Sequence, residues 1–169
     1  MSRLFFALWP DDAARAGMAS VMDQLPGDCG RFVIHRNLHI TLVFLGSVSE
    51  KQEQCVLSGV RHINMSPVTL TLDALGWWQR PQVIWLASQK VPDALVVLAD
   101  KLRAVAGQCG IKTDERPFVP HATLARKVRK RVVLPDITPV HWEVRDFCLV
   151  RSDTRAAGPS YQVLWSSTK

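Results

Sequence analysis

Two short segments of this 169-residue chain carry side chains suited to acid–base work at a phosphate ester. The first is Leu38-His39-Ile40-Thr41-Leu42 and the second is Pro120-His121-Ala122-Thr123-Leu124. Both read His-x-Thr-Leu, and nearly half the chain separates them. An imidazole titrates near neutrality, so one ring can accept a proton while another donates one. A threonine hydroxyl can donate a hydrogen bond to a non-bridging phosphate oxygen, where charge shifts in the transition state. In-line displacement at phosphorus needs one group to activate the nucleophile and another to protonate the leaving oxygen. That scheme calls for no metal and no cofactor, and the sequence has neither an HExxH motif nor a dense carboxylate cluster.

The spacing has a geometric consequence. In a strand, residues two apart point to the same face. His39 and Thr41 therefore share one face, with Ile40 and Leu42 on the other, and the same holds for His121 and Thr123 against Ala122 and Leu124. The apolar partners can face a core while the polar pairs face a cleft. One such copy would be an ordinary strand histidine. Two copies suggest pseudo-symmetric halves, and if those halves pack face to face, two imidazoles and two hydroxyls converge on one small volume.

The surrounding elements read as mixed α and β. Leu4–Trp9 is a short apolar strand, followed by a helix from Ala13 to about Gln24 that Asp11 or Asp12 can cap. Phe32–Ile34 and Leu38–Leu45 read as strands. Ser47 with Glu50 forms a capping-box pattern for a helix over about Glu50–Ile63. Val68–Trp78 and Gln82–Ala87 read as a hairpin around Arg80-Pro81. Leu95, Leu98, Leu102, Val105 and Cys109 recur on one helical face, with Gly110 as the stop. His121–Arg126, His141–Val150 and Gln162–Trp165 are further strands. This order lacks regular βαβ alternation, which predicts a single α+β domain over residues 1–169 with antiparallel pairing and outer helices.

A net charge of +6 attracts phosphates, a modest pointer to nucleic acid. The composition is that of a globular domain, 47% apolar and 21% charged, long enough to bury roughly 70% of its unfolded surface. No apolar run reaches the ~20 residues of a spanning helix, and the N-terminal run is too short for a secretory signal, so a cytoplasmic protein away from membranes is expected. A monomer is the default for so small a domain. Cys29, Cys55, Cys109 and Cys148 are widely and irregularly spaced, which predicts four reduced, mostly buried thiols. His35, His62 and His141 carry no motif and read as surface or structural residues. Lys127, Arg129, Lys130 and Arg131 form either an RNA-backbone contact or a solvated hairpin tip. Trp77, Trp78 and Trp85 read mainly as core or rim packing, and one of Phe5 and Phe6 can line the cleft.

At these residues the chain resembles the 2H phosphoesterases, and within them the RNA 2′,3′-cyclic phosphodiesterases, also called 2′-5′ RNA ligase-like proteins. The matching segments are Arg3–Leu8, Asn37–Gly46 and Arg116–Arg126. The resemblance implies a bilobal, pseudo-symmetric α+β fold with antiparallel sheets around a concave cleft and helices outside. It implies hydrolysis of an RNA or nucleoside 2′,3′-cyclic phosphate to a 2′-phosphomonoester. His39 would protonate the leaving 3′ oxygen, His121 would activate water, and Thr41 and Thr123 would hold the phosphate. Arg126 follows the second motif as a substrate contact, although plain strand parity sets it opposite His121 unless a bulge intervenes. A 2′-5′ RNA ligase running the same groups in reverse, and an RNA-binding module with little turnover, are the competing readings.

Overall fold

The structure is a computed structural model and describes residues 1–155 and 158–168. Its ten strands are β1 (Ser2–Leu8), β2 (Arg31–Phe32), β3 (Ile40–Val48), β4 (Val68–Leu72), β5 (Ala74–Trp78), β6 (Val83–Ala87), β7 (His121–Arg126), β8 (Val140–Val144), β9 (Cys148–Arg155) and β10 (Gly158–Ser166). Three α-helices are interspersed: α1 (Asp12–Asp23), α2 (Glu50–Val60) and α3 (Asp93–Gln108). A short 3-10 turn covers His35–Asn37.

Among the described residues all the strand pairs are antiparallel, in keeping with the expected α+β class. The main sheet runs in the order β10-β9-β1-β3-β7-β6-β5, with β2 also on β7, and β4 pairs with β8 in a second, two-stranded sheet. In β1, Leu4, Phe6 and Leu8 enter the main core, whereas Phe5 and Ala7 join a smaller buried cluster with Cys148 and Val150 on the other face. The helices take their positions from local signals. The Asp11 carboxylate accepts the Ala14 N–H at 2.8 Å and starts α1. Gly110 adopts φ +70°, and Ile111 N–H donates to Ala106 O while Gly110 N–H donates to Gly107 O, which closes α3. Among the described residues, no helix is long and apolar enough to cross a membrane.

Several expectations are corrected. The capping box on α2 is Ser49 with Gln52, and Ser47 lies inside β3. The stretch 68–78 is two strands in different sheets, because Asp73 turns the chain between them. Its N–H donates to Ala87 O, and its carboxylate accepts the Gln89 N–H. The stretch 141–150 likewise divides into β8 and β9. Cys55 and Cys109 form a disulfide between α2 and the end of α3, so two rather than four thiols are free, the buried Cys29 and Cys148. The two motif strands do not oppose one another as separate layers. They are neighbours in one sheet, meeting at Ile40 and Ala122.

Candidate active site

The Ile40–Ala122 pairing fixes the site. Both residues are fully buried in the main core, so their flanking side chains at 39, 41, 121 and 123 emerge on the opposite face. In an antiparallel pair a local two-fold axis passes between directly opposed residues. Here that axis relates His39 to His121 and Thr41 to Thr123. All four are half-buried. The predicted convergence of both motifs is thus realised side by side, across one strand junction.

Each strand then carries a bulge at the same point after its motif. The β1–β3 register passes from Ala7↔Thr41 to Phe6↔Val43, so Leu42 is the extra residue. The β6–β7 register passes from Trp85↔Thr123 to Ile84↔Ala125, so Leu124 is the extra residue. Leu42 and Val43 are both buried, as are Leu124 and Ala125. The alternation resets, and Phe44 and Arg126 return to the histidine face. Arg126 therefore lies on the face that unbroken parity denied it. Phe44 is 54% exposed, with its ring 5.6 Å from that of Phe5.

Both imidazoles are oriented in the same way. His39 Nδ1 donates to Asn37 O at 2.6 Å, and His121 Nδ1 donates to Val119 O at 2.9 Å. A carbonyl can only accept, so the proton sits on Nδ1 and leaves Nε2 unprotonated in each neutral ring. Burial is the main cause that lowers His39 to a pKa of about 4. The Asn37 carbonyl opposes that shift, and Arg126, His121 and Arg15 add to it. His121 is lowered for the same main reason, again with Arg126 contributing. Arg126 thus acts on both rings, and neutral imidazoles prevail at pH 7.

Aromatic residues wall the pair. Trp9 stacks on His39 at 15° with centroids 5.5 Å apart, and Phe5 and Tyr161 approach the same ring at 5.0 and 5.1 Å. Trp78 meets His121 edge-on at 4.7 Å and also touches Trp85. Trp85 in turn lies over Gly76, where an added Cβ would collide with its Cζ2. Of the two phenylalanines weighed from sequence, Phe5 is on the histidine face but buried, and Phe6 is in the core. Sequence reasoning missed Trp9, Tyr161 and Asn37. Trp9 was within its reach, since it continues the Phe5, Ala7 alternation. Asn37 is buried, and its side-chain amide donates to Pro159 O at 3.0 Å, tying the start of β10 to the turn that orients His39.

The remaining candidates lie elsewhere. His35, His62 and His141 are exposed, with His141 beside Thr71. Lys127, Arg129, Lys130 and Arg131 are exposed just beyond Arg126, and Lys130 pairs with Asp28 at 3.8 Å. A cavity of about 740 Å³ lined by Leu75, Trp77 and Arg131 contains no motif residue.

Known proteins resemble the chain over nearly its whole length. A family model described as the 2′-5′ RNA ligase superfamily matches residues 10–156. The chain is 35% identical to an RNA 2′,3′-cyclic phosphodiesterase of Escherichia coli (strain K12), covering 99% of this chain and 97% of that protein. It is 30% identical to one of Archaeoglobus fulgidus, covering 96% and 97%. Among solved structures, a phosphoesterase superimposes with a TM-score of 0.92 at 34% identity, covering 98% and 96%. E. coli LigT complexed with 3′-AMP superimposes with a TM-score of 0.91 at 34% identity, covering 99% of each chain.

Proposed function

The chain belongs to the 2′-5′ RNA ligase superfamily, and from that premise we propose that it is an RNA 2′,3′-cyclic phosphodiesterase in which His39 and His121 are the acid and the base. The observation that carries this reading is the dyad-related pair of Nδ1-anchored imidazoles on one face, each beside a threonine hydroxyl. Close relatives that bear that activity's name, at up to 35% identity over almost the whole chain, support the substrate class. The neighbouring structure complexed with 3′-AMP supports a nucleotide in the cleft.

In this mechanism His121 Nε2 takes a proton from water as the water oxygen attacks phosphorus, in line with the P–O3′ bond. That bond breaks, and O3′ takes a proton from His39 Nε2, leaving a 2′-phosphomonoester. Thr41 and Thr123 donate to the non-bridging oxygens. Arg126 supplies positive potential for the anion. His39 must carry a second proton to act as acid, and its surroundings disfavour that in the free protein. The substrate's phosphate provides the compensating negative charge, so binding and protonation are coupled. The substrate is RNA or a nucleotide ending in a 2′,3′-cyclic phosphate, handled by a cytoplasmic monomer whose two lobes each contribute one motif.

The test is incubation with a 2′,3′-cyclic nucleotide in EDTA and identification of the product. A 2′-phosphate supports the reading. Binding without turnover supports a nucleotide-binding module instead.

A further inference from the structure

Arg15, on α1, ties together three parts of the chain around His39. Its Nη2 donates to Pro10 O at 2.9 Å, just past β1. Its Nη1 donates to His35 O at 2.9 Å, in the 3-10 turn, and at 3.4 Å to Leu38 O, the carbonyl of the peptide that enters His39. The same guanidinium lies 5.8 Å from the centroid of the Trp9 ring, and Trp9 is the ring stacked on the His39 imidazole. A guanidinium is a planar fork with five donors, so it can serve several carbonyls and still lie on an aromatic face. An ammonium at the same place has neither the plane nor the fork.

We propose that Arg15 is a positioning residue for His39, acting through the stacked Trp9 ring and through the Leu38 carbonyl. The Asn37 carbonyl sets the ring's tilt from one end, and Trp9, held by Arg15, sets its plane from the side. Among the described residues this arm has no counterpart at His121, which Trp78 meets edge-on. The titratable groups acting on His39 are Arg126 and His121 from β7 and Arg15 from α1, while Asp11 and Asp12 act on Arg15. Asn37 and Tyr161 contribute neutral contacts. The proposal takes its catalytic meaning from the phosphodiesterase reading, but the placement of the ring is measurable without turnover.

The experiment compares Arg15→Met, Arg15→Lys, Trp9→Ala and Trp9→Phe with the wild-type protein. It measures kcat and KM on a 2′,3′-cyclic nucleotide and follows both active-face histidines by NMR titration. Arg15→Met and Trp9→Ala should lower kcat at least about tenfold with little change in KM, as expected when a reacting group is misplaced. The His39 titration should move up toward the ordinary imidazole range while that of His121 stays in place. Trp9→Phe should recover most of the rate, and Arg15→Lys should not. Unchanged kcat with an unmoved His39 titration would overturn the proposal, and so would equal displacement of both histidines, since that is a general loosening. If the wild type turns over no cyclic phosphate, the phosphodiesterase reading fails, and the His39 titration in the charge-preserving Arg15→Lys variant still decides the placement, since it moves only if the fork and not the charge holds the ring.

Discussion

Ile40 and Ala122 face each other across the β3–β7 junction with neither side chain exposed to solvent. Their burial forces His39, Thr41, His121 and Thr123 onto the other face, and their antiparallel pairing makes those four residues two copies of one arrangement. A local backbone relationship, rather than a designed pocket, sets the symmetry of the chemistry.

The hydroxyls are the first place to test that symmetry. Thr41→Val and Thr123→Val keep the β-branched shape and remove the donor. Each should lower kcat/KM by roughly ten- to a hundredfold, the scale of a hydrogen bond to a charged group at 1.5–3 kcal/mol. Steady-state kinetics on a 2′,3′-cyclic nucleotide checks this. A threonine whose valine variant keeps full activity makes no contact with the phosphate.

The pH dependence of kcat/KM follows from the free protein, where His39 titrates near 4 and His121 below the ordinary 6.5. The proposed mechanism needs His39 charged and His121 neutral. Charged His39 becomes scarcer above pH 4, and neutral His121 accumulates only up to its own pKa. The product of the two is greatest on the acid side of pH 6.5 and declines toward pH 8. The bound anion raises both pKa values, so the kcat profile should peak at higher pH than that of kcat/KM. A kcat/KM that rises through pH 8, with chemistry limiting, would contradict the assignment.

The same burial makes stability depend on pH. The folded pKa of His39 lies below the unfolded value, so above pH 6.5 both states are neutral and the folded state is fully stable. As pH falls from 6.5 to about 4, the unfolded chain takes up a proton that the folded chain resists. The loss approaches about 3 kcal/mol, and His121 adds in the same direction. Urea midpoints at pH 7.5 and 4.5 measure it. His39→Gln should lose less between those pH values than the wild type, and parallel losses would refute the link.

Gly76 supports the second histidine at one remove. A Cβ there would collide with Trp85 Cζ2, and Trp85 touches Trp78, which touches His121. Gly76→Ala should cost about 1–3 kcal/mol through overpacking and should alter the His121 titration more than that of His39. Unfolding curves and NMR together report both. A variant as stable as the wild type would mean that Trp85 has room to move.

The His-x-Thr-Leu spacing disclosed the four polar residues and their shared face, because strand parity is a local property. The two bulges are set by cross-strand register, and that is why parity alone left Arg126 on the wrong side. Asp11 and Gly110 announced their helix ends through side-chain chemistry and conformational freedom. The start of α2 at Glu50 was legible, but its cap falls on Ser49 rather than Ser47, because both offer the same hydroxyl and only tertiary structure decides which one leaves the strand. The strand break at Asp73 rests on bonds to Ala87 and Gln89, far along the chain. The Cys55–Cys109 link depends on α2 packing beside α3, which no spacing rule reveals.

The most direct test of the paired-histidine mechanism is kcat for His39→Ala and His121→Ala, each against the wild type, on a 2′,3′-cyclic nucleotide in EDTA. Loss of an acid or a base should cost each variant at least about a hundredfold, with a 2′-phosphate as the wild-type product. A variant that stays within a few-fold of the wild type would remove its histidine from the mechanism and contradict the account.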